Sequence, residues 1–241
     1  MAQIDPPDFA RSCVVVAHPD DEILWFSSIL DRVSHATWCF EDCEDYPELG
    51  PGRRAVLRAY PLPQVRSLGL PEPCSVHLVD WSQPAFSAYG LRLNAAAATE
   101  SRIEGYRMSF AAIRSALATQ LRGTSAVFTH NPWGEYGHAD HVQVARVVHS
   151  LHAELGYRVF YSGYVAPRTM PLAAAELARF GNWFELPTQP ALCERVQALY
   201  RTHGCWTWPN DYQRFATETF LEACDEPGKA GSGFRLNCVV P

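Results

Sequence analysis

The most constraining feature of this 241-residue chain is an apolar, β-branched run, Cys13 to Ala17, that stops at the polar segment His18-Pro19-Asp20-Asp21. A short run of this kind reads as a buried strand of a parallel sheet, covered on both faces. Ile23, Leu24, Phe26, Ile29, Leu30 and Val33 then recur at helical spacing, which predicts a helix from Glu22 to Val33. The polar segment thus occupies a strand-to-helix junction, and open α/β sheets bind ligands just beyond the carboxyl ends of their strands.

The pattern recurs. Ala126 to Thr129 is a second strand, ending in the polar loop His130 to Gly137, and a helix follows from about His138 to Leu155, stopping at Gly156. Between the two junctions the sequence predicts a strand at His35 to Phe40, a helix at Arg53 to Leu68 broken by Pro61 and Pro63, and a strand at Val76 to Val79. An excursion from Trp81 to Leu93 and an alanine-rich helix, Ala95 to Leu121, come next. Arg158 to Val165 reads as a further strand, Glu194 to Thr202 as a helix, and the tail from Pro227 as a loop. Strands alternating with helices imply α/β architecture, and the length suits one domain with one large core.

Composition excludes several classes. Hydrophobic residues make up 47% and charged residues 19%, as in ordinary globular proteins. A net charge of -6, with Lys229 the only lysine, argues against a nucleic-acid partner, which would need clustered cations. No apolar run approaches the roughly 18 residues of a spanning helix, so no membrane association is expected. The N-terminus lacks a basic and long apolar secretory pattern, and the eight cysteines form no C-x-x-C pair, so reduced thiols in a cytoplasm are expected. No G-x-G-x-x-G follows the first strand, which removes a dinucleotide-binding reading.

Both junctions carry metal-ligand residue types. A zinc hydrolase needs three protein ligands, typically imidazole and carboxylate, with a position left for water. His18 and Asp21 stand three apart across a tight turn; His138 and His141 stand three apart on one helical face. The segments Ala17-His18-Pro19-Asp20-Asp21-Glu22 and His138-Ala139-Asp140-His141, in this order, resemble the AHPDDE and HxDH motifs of the PIG-L/LmbE-like N-acetylglucosaminyl deacetylases.

The resemblance implies an α/β, Rossmann-like three-layer fold with a mostly parallel central sheet. It implies a zinc ion, or another divalent metal, held by His18, Asp21 and His141, with Asp20 as general base. His138 would face the reacting carbonyl, assisted by Tyr136. The implied reaction is hydrolysis of the acetamide of a small-molecule amino-sugar conjugate. The same ligands would serve an amidase acting on another amide, and a non-catalytic sugar-binding chain could carry the motifs as a relic, although a relic has no need of Asp20.

Other residues have two readings. Asp140 suits either a bond that fixes a histidine tautomer or a plain acid at a helix start. Glu22 is expected to bond loop backbone. His35, Cys39 and Cys43 fit strand alternation better than a metal site. Trp133, Trp206 and Trp208 are core or a stacking surface for a sugar. The stretch Ala198 to His203 resembles part of a further family motif, with Cys205 and Trp206 where Ser and Gln are usual. Arg53 and Arg54 supply the basic part of a family Arg-Glu feature, with no Glu directly after them.

Overall fold

The computed structural model describes residues 2–224 and 234–240. Its centre is an eight-stranded sheet in the order β1 (Ala2–Gln3), β10 (Phe180–Pro187), β11 (Thr217–Ala223), β8 (Arg158–Ser162), β7 (Ala126–Thr129), β2 (Ser12–Val16), β3 (His35–Asp42), β4 (Val65–Pro71). From β8 to β4 every pairing is parallel; β11 runs antiparallel to both β8 and β10.

Strand alternation divides the core into two. Cys13 and Val15 of β2 pack with Val127 and with Tyr106, Ile113 and Leu117 of α3 (Glu100–Gln120) and Val144 and Val148 of α4 (Ala139–Leu155). Val14 and Val16 pack on the other face with Ile23 and Leu24 of α1 (Asp21–Trp25), Val56 of α2 (Leu49–Ala59), and Val196 and Tyr200 of α6 (Pro190–Thr202). The result is the expected three-layer, mostly parallel α/β fold.

From β2 the chain adds β3 and β4 on one side, then returns through α3 to place β7 on the other side of β2. The β2–β7 edge is therefore the topological switch point, where such sheets open a crevice at their carboxyl ends. Both metal-type junctions leave the sheet there.

Several boundaries differ from expectation for identifiable reasons. The helix expected to reach Val33 stops at Trp25. The amides of Ser27 and Ser28 donate instead to the buried Glu218 carboxylate, each at 2.9 Å, and their hydroxyls donate to it at 2.6 Å. The proline-broken segment yields α2, which starts early at Leu49, and then β4, so Val65 to Leu68 are strand rather than helix. With that sheet position filled, Val76 to Val79 form turns and bends and not a strand.

The excursion after Trp81 holds a two-residue ribbon, β5 (Phe86–Ser87) and β6 (Gly90–Leu91). The strand expected to reach Val165 breaks at Gly163, where a Cβ would stand 2.7 Å from Thr219; β9 (Tyr164–Val165) then pairs with β12 (Asn237–Cys238). β10, β11 and α5 (Met170–Glu176) were not anticipated. Part of the tail from Pro227, and Lys229, lie outside the described residues; Asn237–Cys238 is strand rather than loop. Among the described residues no helix is long and apolar enough to cross a membrane.

Candidate metal centre

The first junction is a rigid turn. Asp20 precedes α1 with φ of 97°, in the left-handed region where aspartate is among the more tolerated residues. Its amide donates to Glu22 Oε2 at 2.9 Å and to the Tyr200 hydroxyl at 2.8 Å, while Tyr60 and Tyr200 both donate to Glu22 Oε1. Glu22 thus clamps the loop from inside, as expected of it; burial pushes its carboxyl up to about 7 against those donors. The turn closes where the His18 amide donates to Asp21 Oδ2 at 2.8 Å.

The second junction leaves β7 at His130 and needs Gly137 at φ of 97°, where a Cβ would meet Arg168 Nε at 2.5 Å. His138 caps α4: its Nδ1 accepts the Asp140 amide at 3.3 Å. His141 sits in the first turn of that helix and is fully buried.

The two junctions converge, although 120 residues separate Asp21 from His141. His18 Nδ1 lies 3.4 Å from Asp21 Oδ2, and His141 Nε2 lies 3.4 Å from Asp21 Oδ1. The His18 and His141 rings are 5.3 Å apart, and His138 lies on His141 at 4.7 Å with an interplanar angle of 13°. Asp20, Asp21, His18, Tyr136 and His138 line one cavity of about 300 Å³, with His141 buried directly behind them. A larger cavity of about 510 Å³, around Arg146 and Arg179, contains none of these residues.

Fixed hydrogen bonds set the tautomers. Glu135 Oε2 accepts from His141 Nδ1 at 2.8 Å, and its other oxygen accepts the Asn131 amide at 3.0 Å. With Nδ1 carrying the proton, His141 Nε2 presents its lone pair; it is buried and has no hydrogen-bond partner. Asp140 Oδ2 lies 3.3 Å from His18 Nε2 while its Oδ1 accepts from the Ser75 hydroxyl, and His18 Nδ1 is turned toward Asp21. An unpartnered imidazole nitrogen on His141, backed by a carboxylate and facing Asp21 together with His18, is the kind of donor set a divalent cation requires.

Electrostatics follow from burial. Burial and the adjacent Asp21 charge push the Asp20 carboxyl well above its ordinary range, opposed by Thr207, whose hydroxyl donates to Asp20 Oδ2 at 2.7 Å. Burial opposes ionisation of Asp21, yet the surrounding imidazoles hold its carboxyl well below the usual range. Burial, with His18 and His141 alongside, drives His138 well down, so it is neutral and carries its proton on Nε2. Burial and nearby carboxylates raise the Tyr136 phenol, which stays protonated.

Sequence reasoning missed four contributors. His130 stacks on His141 at 3.8 Å and accepts the Ala17 amide at 2.9 Å, joining the second junction to the end of β2. Glu135 orients His141 from an irregular loop, and Thr207 reaches Asp20 from beyond α6. Glu72, after β4, pairs with the buried Arg53 in the cavity wall, so the glutamate partner of that arginine exists but stands far downstream. Trp208 lines the cavity, edge-on to Tyr136 at 5.0 Å; Trp133 is core, donating to the Tyr164 carbonyl at 2.7 Å. His203 caps the end of α6 and does not line the cavity.

No family model matches the chain, and no curated protein matches it. Solved structures do. A deacetylase–teicoplanin complex from teicoplanin biosynthesis superposes with a TM-score of 0.55 at 12% identity, over 88% of this chain and 98% of that one. The zinc-inhibited form of teicoplanin deacetylase Orf2 gives 0.56 at 13% identity, over 89% and 99%. A pseudoaglycone deacetylase, Dbv21, gives 0.52 at 13%, over 89% and 97%. The chain therefore has the α/β fold of these deacetylases, along nearly its whole length.

Proposed function

We propose that this chain is a metal-dependent hydrolase of the PIG-L/LmbE-like kind, removing the acetyl group from the nitrogen of an N-acetylglucosamine-type amino-sugar conjugate. The observation that carries the reading is the buried, unpartnered Nε2 of His141, 3.4 Å from Asp21, with Asp20 beside it in the same cavity. The shared fold supports it.

In this reading His18, Asp21 and His141 hold Zn2+ or another divalent cation. When bound, the cation acidifies a water and polarises the amide carbonyl. Asp20 takes the water's proton; a carboxyl raised by burial is a stronger base, nearer the working pH. His138 Nε2–H, on a ring kept neutral, donates to the amide oxygen as negative charge develops, with the protonated Tyr136 hydroxyl as a second donor. Asp20, now carrying a proton, or His138 delivers one to the departing nitrogen. Arg53, Glu72 and His77 offer polar partners to sugar hydroxyls, and Tyr46 and Trp208 offer apolar ring faces.

We read residues 1–241 as one domain, acting on a small molecule in the cytoplasm, in keeping with cysteines free of disulfides among the described residues. The test is incubation of metal-loaded protein with a broad panel of N-acetylated amino-sugar conjugates, reading free amine and acetate. Release from amino-sugar substrates supports the reading. Release only from other amides moves the chain to the amidase alternative, and no release from any amide overturns the enzyme.

A further inference from the structure

Beside the centre described above, the cavity-wall residue Glu72 stands with two cysteines that have no part in the proposed chemistry. Cys43 lies just past the end of β3, and Cys74 lies in the loop after β4, two residues beyond Glu72. Their sulfurs are 3.6 Å apart, both side chains are buried, and the ligand atoms of Cys43, Glu72 and Cys74 all lie within 4.8 Å of one another. We propose that Cys43, Cys74 and Glu72 form a second cation site, selective for a thiophilic divalent ion such as Zn2+ or Cd2+, in the wall of the substrate cavity.

The spacing fits. Two thiolates bound at about 2.3 Å in a tetrahedral site stand roughly 3.8 Å apart. The sulfurs already sit near that separation, and the loops carrying them are tied together. Arg102 donates to the Cys74 carbonyl at 3.2 Å while gripping Asp45, two residues after Cys43, at 2.6 and 2.9 Å. Cys74 itself holds a φ of 50°, a left-handed conformation that a non-glycine residue adopts only where its surroundings impose it.

Charge also balances. As the ion enters, both thiols lose their protons to solvent, so a dication replaces two protons and the buried charge is unchanged. The remaining carboxylate, Glu72, is already matched by Arg53. Burial, then the neighbouring Glu72 charge, pushes the Cys43 thiol up to about 12, so the free thiol stays protonated and is a poor nucleophile for disulfide exchange; an entering ion must displace that proton, and the Glu72 carboxylate favours the ion's charge. Loading draws on a carboxylate that Arg53 now holds, so the polar wall of the cavity changes with it.

Cadmium binding to the full chain under reducing conditions tests this, read by cadmium NMR and by the thiolate-to-metal absorption band. The expected result is two bound equivalents, one with only nitrogen and oxygen ligands and one with two sulfurs. Cys43→Ser and Cys74→Ser should each remove the two-sulfur signal and leave the other in place, while Cys238→Ser, at an exposed thiol, removes neither. Loss of only the nitrogen–oxygen signal would count against the metal centre of the proposed enzyme and not against this site. Absence of sulfur-bound cadmium in the unsubstituted protein overturns the proposal, as does its persistence in a folded Cys43→Ser or Cys74→Ser variant. Should those variants fail to fold, the sulfur count in the unsubstituted protein decides.

Discussion

Glu135 Oε2 and His141 Nδ1 lie 2.8 Å apart, and that contact fixes which nitrogen of the imidazole is free. Replacing the carboxylate by an amide, Glu135→Gln, removes the charge that keeps the proton on Nδ1 and makes Nε2 basic. Affinity for the divalent cation should fall about 10- to 100-fold, as for other losses of a ligand's supporting carboxylate. Competition with a chelator of known affinity measures it; unchanged affinity would remove His141 from the ligand set.

Asp20→Asn tests the base with little disturbance, because asparagine also tolerates the left-handed backbone and can accept from Thr207. Bound metal should be retained and turnover should drop by about 100-fold or more. Metal analysis alongside steady-state kinetics separates the two quantities, and full turnover in this variant would end the assignment of Asp20.

Glu218 receives four hydrogen bonds from Ser27 and Ser28 inside the protein. Glu218→Ala leaves those donors buried without partners and should cost about 3 kcal/mol or more of stability. Urea unfolding followed by far-ultraviolet circular dichroism checks this; a change below about 0.5 kcal/mol would mean that water replaces the carboxylate at no cost.

His35 opens β3 at the end of the sheet opposite the cavity. Burial, then the nearby Arg66 charge, lowers its pKa from 6.5 to about 4. Between these values the unfolded chain binds the proton and the folded chain does not, so this residue's contribution to stability is intact above pH 6.5 and declines as pH falls toward 4. His35→Asn should flatten that part of the stability–pH curve in chemical denaturation; an unaltered slope would refute it.

How much of this was legible depended on local pattern. β2, β7 and α4 announced themselves because a short apolar run, a polar turn and a helical period follow one another within a few residues. The same adjacency marked His18, Asp21, His138 and His141 as metal-ligand types, and the expected choice among them came from the family resemblance. His130 carries that signal too, since it directly follows β7 much as His18 follows β2, but no motif contains it. Glu72, Thr207 and Glu218 were invisible for a different reason: their partners Arg53, Asp20 and Ser27 lie 19, 187 and 191 residues away, and nothing in the neighbouring sequence marks them. The premature end of α1 belongs with these, because its stop signal comes from β11. Likewise the mixed burial of β10 gives no clean alternation, and the buried Glu218 and Thr219 interrupt the apolar run of β11.

The sheet order gives the two motif loops a shared foundation. β2 and β7 are immediate neighbours, whereas the cavity's far wall is supplied by the stretch from Tyr46 to His77 and by Thr207 to Pro209. In the proposed enzyme, anchorage of the cation and selection of the molecule presented to it would thereby fall to different lengths of chain. Insertions or replacements in the wall would then recast what such an enzyme accepts while the ion's address in the sheet stayed the same.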